Sequence, residues 1–225
     1  MSVSRDASAK RLSPFGAVLR KELVETSPVT GIVGLFLLTG LALEVANDDA
    51  RLFFSYVPPE VMMILLASTA ICAGLLGLVQ TIRESFEGTW AYFLHRPGSR
   101  RQLLTMKILA GVSGYLMICG AFLIGHILIG LLRHSETHPM QWWLVDVILQ
   151  FSLTGLIVYL GGFLAGIRKA RWYVSRLFPL ATAVAIWLLV LYIPNWWLLG
   201  LPTVAAISAG LLYCIFQTAE QRDFA

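Results

Sequence analysis

Arg83 to Lys107 reads RESFEGTWAYFLHRPGSRRQLLTMK and lies between two of the longest apolar runs in the chain. Its 25 residues carry five basic side chains (Arg83, Arg96, Arg100, Arg101, Lys107), two acidic ones (Glu84, Glu87) and an aromatic cluster. A connector that only reverses the chain needs a few polar residues, so a connection this long and this mixed asks for a purpose. How it is read depends on what flanks it.

The flanks are hydrocarbon-like. Of 225 residues, 57% are hydrophobic and 13% charged, with a mean hydropathy of +0.74. Soluble domains carry about 25% charged residues. The apolar residues come in continuous blocks near the roughly 20 residues that cross a bilayer core as a helix, not in the short alternating segments of a barrel. An all-α integral membrane protein is expected, with six spans near 29–46, 57–80, 105–132, 142–167, 177–193 and 197–217.

Charge tests that count. Lys and Arg number five before the first span (Arg5, Lys10, Arg11, Arg20, Lys21), then one, five, one, four, none and one in the successive connections and tail. Alternate segments hold 15 against 2 of these residues. Basic residues are retained on the cytoplasmic side, which predicts cytoplasmic termini and a cell-membrane location. Trp142, Trp143, Trp196 and Trp197 fall where an outer interfacial belt belongs, and Trp172 and Tyr173 at the inner one. The expected organisation is a cytoplasmic N-terminus (1–27), a six-span domain (28–217) containing the 81–107 connection, and a cytoplasmic tail (218–225). No removable signal peptide is expected, because MSVSRDASAKRLSPFG has no apolar region followed by a cleavage site.

Before the first span, SPFGAVLRKELVETSP predicts a short amphipathic helix in the inner interface. Ser13 can cap it, Pro14 suits its first position, and Ser27-Pro28 would end it. Phe15, Leu19 and Leu23 share one face, while Arg20, Lys21 and Glu25 point elsewhere, and Glu22 lies within the same turn. A plain extension of the first span is the alternative.

Several motifs invite a chemical reading. GVSG, Gly111 to Gly114, matches the serine motif of intramembrane proteases, yet a serine nucleophile needs a base within reach. His126 is on the same helix, and His95, His134 and His138 lie in connections. Small residues that let helices approach are the better reading. HSETH, His134 to His138, has its glutamate out of register for a zinc-protease helix. GAFLIGH, Gly120 to His126, lacks the Lys-Ser/Thr end of a phosphate loop, so ATP would have to be hydrolysed by another polypeptide. Cys72, Cys119 and Cys214 have no motif spacing and read as buried thiols. No metal, cofactor or bond chemistry is expected in this chain. Among ionisable groups, Glu44, Glu60 and Asp146 lie near span ends and only His126 is deep; with Gln80, Gln150 and Glu60 they keep a proton-coupled carrier open. Ala121/Gly125, Gly161/Ala165, Gly162/Gly166 and Ala206/Gly210 offer close helix packing, first of all within the chain.

The connection itself divides into parts. Gln80 to Phe86 continues the second helix until Gly88 breaks it. TWAYFLH, Thr89 to His95, makes a short aromatic helix capped by Thr89, Arg96-Pro97-Gly98 is a turn, and Ser99 with Gln102 caps the third helix. Exposed aromatics of this kind mark a protein interface, with a helix that binds only lipid as the alternative.

ESFEGTWAYFLHRPGSRRQLLTMKIL resembles the segment of ABC-2-type permeases that reads acidic-Gly-Thr, apolar residues, Pro, Ser-Arg, and Lys entering the third span. Glu87, Gly88, Thr89, Leu94, Pro97, Ser99, Arg100 and Lys107 stand at the matching positions, and LRKELVE, Leu19 to Glu25, resembles the elbow helix of that family. The family commonly has an aliphatic residue where Trp90 stands, and many members have a sizeable external segment where this chain has only PNWW. The resemblance implies the permease subunit of an ABC exporter, paired with a second permease as homodimer or heterodimer. ATP and magnesium would be held by separate ATPase subunits. Glu84, Glu87, Gly88, Thr89, Trp90, Tyr92, Phe93, Leu94 and Arg96 would form the ATPase-coupling contact, with Phe15, Leu19, Arg20, Lys21, Glu22 and Leu23 in the elbow helix. A nontransporting scaffold or immunity component is the other class of reading, motivated by the small external connections.

Overall fold

A computed structural model of the protein describes residues 14–46, 59–87, 100–132, 142–168 and 173–221. They form α1 (Pro14–Ala46), α2 (Pro59–Glu87), α3 (Arg100–Leu132), α4 (Trp142–Ile167), α5 (Tyr173–Leu191) and α6 (Leu201–Glu220), with a π-helical turn (Trp196–Gly200) leading into α6. No strand occurs among the described residues. Among the described residues, three stretches are long and apolar enough to cross a membrane, Arg101–Ile129, Val145–Ile167 and Trp196–Glu220, and two shorter apolar ones accompany them, Ala67–Ile82 and Ser175–Leu191. The chain is a multi-helix protein embedded in a membrane. Helices are the form such runs must take, because hydrocarbon offers no partner for a free backbone N–H or C=O.

Each expected span overlaps one observed helix, and the predicted break at Gly88 lies outside the described residues. The predicted stop at Ser27-Pro28 is corrected. The amphipathic segment and the first span are one continuous helix with Pro28 inside it. Proline cannot donate the backbone bond that would reach back four residues to Val24. The Ser27 hydroxyl donates to that Val24 carbonyl instead, at 2.7 Å. The carbonyl is satisfied and the helix passes through. Ser27→Ala should therefore lower stability by about 1 kcal/mol, read as the thermal midpoint of the purified chain in detergent. The same change in a Pro28→Ala background should cost little, because the N–H returns.

Side-chain contacts give the direction of each helix. Gly74, Gly77 and Thr81 of α2 meet Val158, Tyr159 and Gly166 of α4 in ascending order, so α2 and α4 are parallel. Thr154 of α4 accepts a bond from Trp187 of α5 at 3.1 Å, and Gly166 accepts one from Arg176, so α4 and α5 are antiparallel. Glu22 meets Lys107 and Thr30 meets Gly114, which makes α1 parallel to α3. Tyr115 of α3 reaches Ser152 of α4, and Tyr159 reaches Ile108, so these two run opposite ways. Helices α1 to α5 thus alternate in direction.

Packing is uneven. Helix α4 is the centre: 67% of its apolar window is buried, against 17% for the α6 stretch, which lies at the periphery. Helix α4 packs along α2 most extensively, then along α5 and α6, whereas α1 packs chiefly on α3. The α2–α4 seam is main chain against main chain. A β-carbon at Gly77 would strike the Tyr159 carbonyl and the Phe163 nitrogen, and one at Gly162 would strike the Gly74 carbonyl. The paired small residues Gly162/Gly166 and Gly161/Ala165 are both spent inside the chain, as expected; Gly161 and Ala165 are buried, and Gly161 abuts Ala183 and Pro179. Ala206 is exposed and Gly210 faces open space.

The two ends of the bundle differ. Trp142 and Trp143 open α4 beside the end where Asn195, with φ 50°, turns the chain sharply into Trp196 and Trp197. Asparagine tolerates this left-handed conformation better than most residues. The opposite end carries Arg20, Lys21, Arg101, Arg168 and Arg176.

Candidate functional site

Near the basic end, four helices each contribute one polar side chain to a single buried cluster. Glu22 of α1, Gln80 of α2, Lys107 of α3 and Tyr159 of α4 are 1%, 6%, 5% and 0% exposed, and few other charged side chains are buried among the described residues. Lys107 Nζ lies 3.3 Å from Glu22 Oε1, and Gln80 Nε2 lies 3.3 Å from Glu22 Oε2. Gln80 Nε2 also donates to the Lys107 carbonyl at 2.7 Å. The Tyr159 hydroxyl is 2.8 Å from Gln80 Oε1 and 3.3 Å from the Ile108 carbonyl, so its one proton favours the glutamine. With both ends of the amide in use, the orientation of Gln80 is fixed.

Each local sequence explains its part. On α1 the buried positions are Glu22 and Thr26, with Val29, Thr30 and Val33 half-buried behind them, a helical stripe that begins polar and turns apolar. Thr26 closes its own hydroxyl onto the Glu22 carbonyl at 2.8 Å and so adds no unmet donor. Gly111 of α3 leaves the space that the Tyr159 hydroxyl occupies. An isolated charge in this setting would cost several kcal/mol, and the carboxylate and ammonium offset one another only because the amide supplies further bonds. The arrangement is neutral as a pair, closed to water, and bonded between helices. Physically it locks α1, α2, α3 and α4 together at one level.

A second contact lies deeper along the same two helices. The Tyr115 hydroxyl of α3 donates to the Ser152 carbonyl of α4 at 3.1 Å and sits on Gly155. The Tyr159 hydroxyl of α4 sits in the same way on Gly111 of α3, beside the Ile108 carbonyl. Both helices therefore carry Gly-x-x-x-Tyr, Gly111 to Tyr115 and Gly155 to Tyr159, and each tyrosine covers the other helix's glycine. Closer to solvent, Arg101 of α3 pairs with Glu220 at the end of α6 at 2.5 Å, both exposed.

The expected site residues fare unequally. Glu84 and Glu87 lie in the last turn of α2, without description of their side chains, and Gly88, Thr89, Trp90, Tyr92, Phe93, Leu94 and Arg96 lie outside the described residues. Phe15 and Leu19 are in α1, again without side-chain description; Arg20 and Lys21 are exposed, with Lys21 paired to Glu25 at 3.4 Å, and Leu23 is half-buried. Two of the three residues of the expected apolar face, Phe15 and Leu19, are thus without side-chain description. The best-buried described residue of this segment is Glu22, which pairs with Lys107 of α3, while Val24 is exposed. His126 is buried in α3, Asp146 is exposed at the start of α4, and Glu60 is in α2 without side-chain description. Ser113 of GVSG faces outward and bonds the Ala110 carbonyl of its own helix, while Gly111 and Gly114 are packing positions, the latter against the Thr30 methyl. Cys119 is buried, Cys72 half-buried and Cys214 exposed, all three as free thiols. Tyr115 and Tyr159 are not found by residue-type searches for catalytic or metal groups; the signal available was the repeated Gly-x-x-x-Tyr spacing.

Comparison with protein-family models, with curated proteins and with solved structures gave no match.

Proposed function

We propose that the chain is the permease subunit of an ABC exporter, driven by a separate ATP-hydrolysing subunit. The observation that supports this reading most is the Glu22–Lys107 pair. Glu22 belongs to the segment resembling the elbow helix, and Lys107 closes the segment resembling the coupling connection. The two stretches that carry the resemblance are 85 residues apart in sequence and joined in the bundle. In this reading all six helices span the cell membrane, the basic end faces the cytoplasm with both termini, and the tryptophan-rich end faces outward. The connection between α2 and α3 receives the ATPase through a coupling helix over Thr89–His95. Its displacement enters α2 and α3 together and meets the buried cluster about 10 Å inside, seven residues from the end of each helix at 1.5 Å per residue. A second permease completes the transport path.

Co-expression with a candidate ATPase subunit tests the reading. The wild-type chain should retain the ATPase through affinity purification in mild detergent. Glu87→Lys combined with Phe93→Glu should reduce the retained ATPase at least about tenfold, the loss of roughly 1.4 kcal/mol of binding free energy, while the permease itself elutes as before. Retention unchanged by the double substitution would sink the coupling assignment.

A further inference from the structure

We infer that Arg168 and Arg176 form a site for the headgroup of an anionic phospholipid, where α4 ends and α5 begins. The carboxylates with described side chains are all committed elsewhere or distant. Glu22 pairs with Lys107, Glu25 with Lys21 and Glu220 with Arg101, while Asp146 sits near the start of α4, at the opposite end of the bundle. Arg168 and Arg176 have no carboxylate partner among the described residues. For Arg168 this is unremarkable, because the side chain is exposed. Arg176 is half-buried, and a cation drawn partly out of water calls for an anion.

The Arg176 side chain is also held in place. Its Nη2 donates to the Gly166 carbonyl at 3.1 Å, one of the carbonyls that the end of α4 leaves without a helical partner. Of the other two nitrogens, Nε is enclosed without an acceptor and Nη1 is not enclosed. A guanidinium already fixed at one nitrogen gives up little freedom when another takes an anion. Arg168 continues the α4 bonding pattern through its N–H to the Leu164 carbonyl, and it lies just beyond the glycine that holds Arg176. Both cations therefore belong to one edge of the bundle. Next on α5 come Leu177 and Phe178, both apolar and exposed. A phosphate that carries acyl chains meets both features, charge on the arginines and hydrocarbon on the two apolar side chains, whereas a soluble anion meets only the first. The sequence between the helices adds Lys169, Arg171 and Trp172, residue types of a headgroup layer. The inference requires only that this basic end lies at a membrane surface, and it stands apart from the ATPase reading.

Native mass spectrometry of the full chain in mild detergent tests it, by titration with dioleoyl phosphatidylglycerol and with dioleoyl phosphatidylcholine, whose choline supplies its own cation. The first phosphatidylglycerol should bind at least about tenfold more tightly, the scale of a hydrogen bond to a charged group. Arg176→Gln should remove most of that preference and Arg168→Gln part of it. Arg20→Gln, at an exposed cation on α1, should leave it unchanged. Glycerol phosphate in large excess should not displace the lipid. Equal affinity of the unsubstituted chain for the two lipids would mean that the charge of Arg176 is met inside the protein, and it overturns the site whether or not the variants fold. An Arg20→Gln loss as large as that of Arg176→Gln would reduce the preference to diffuse surface charge, and displacement by glycerol phosphate would make the site one for a free anion; either result overturns the lipid assignment.

Discussion

Lys107→Ala should lower the stability of the purified chain by about 3–5 kcal/mol. The substitution leaves the Glu22 carboxylate buried at 1% exposure without its cation, and only the Gln80 amide remains among the groups shown to face it. Glu22→Ala should cost a similar amount from the other side. The informative variant is the double one. Replacing both members by apolar residues of similar volume, Glu22→Leu with Lys107→Met, removes the desolvation of both charges and should recover most of the loss. Thermal midpoints in detergent, compared across the four chains, measure the coupling. A single substitution that costs less than about 1 kcal/mol would mean that the pair behaves as a solvated surface bridge.

Gly77→Ala is the second large effect. Its new methyl group would point at the Tyr159 carbonyl and come 2.8 Å from the Phe163 nitrogen. Both are main-chain atoms inside a helix, so no rotamer change relieves the overlap and the α2–α4 seam must part. The expected loss is about 3 kcal/mol, the upper end of ordinary overpacking. Gly210→Ala is the matched control, since nothing lies within 4 Å of a β-carbon there. It should leave the midpoint unchanged or raise it, alanine being favoured over glycine in a helix interior by about 1 kcal/mol. Equal effects at the two positions would remove the case for a close main-chain seam.

Helix positions were largely legible because the apolar runs are long and the punctuation is strong. The six helices overlap the long apolar runs, while the predicted break at Gly88 and cap at Ser99 lie outside the described residues. Pro28 misled because its remedy is one hydroxyl on the neighbouring residue, and a Ser-Pro pair reads equally as a stop or as a tolerated proline. The site was only half legible. Gln80 stood out as a polar residue in an apolar run, and Glu22 and Lys107 through the resemblance, but nothing in one strand of sequence says that residues 22, 80, 107 and 159 share a level. That follows from the α1–α3 and α2–α4 registers, which small residues set through contacts between distant segments. Tyr159 reads locally as one more aromatic in a span, and its role appears only when Gly111 is seen to vacate the space opposite.

The reciprocal tyrosines have a use outside this molecule. Two antiparallel helices that each carry glycine and, four residues on, tyrosine can align in one way that lets both rings land on glycine. Any other offset puts a ring against a side chain. The spacing is thus a ruler written into both strands, and it sets which residue of one helix lies beside which of the next. In another membrane sequence, the same pair of motifs in successive spans would predict the vertical alignment of those spans before any coordinates exist.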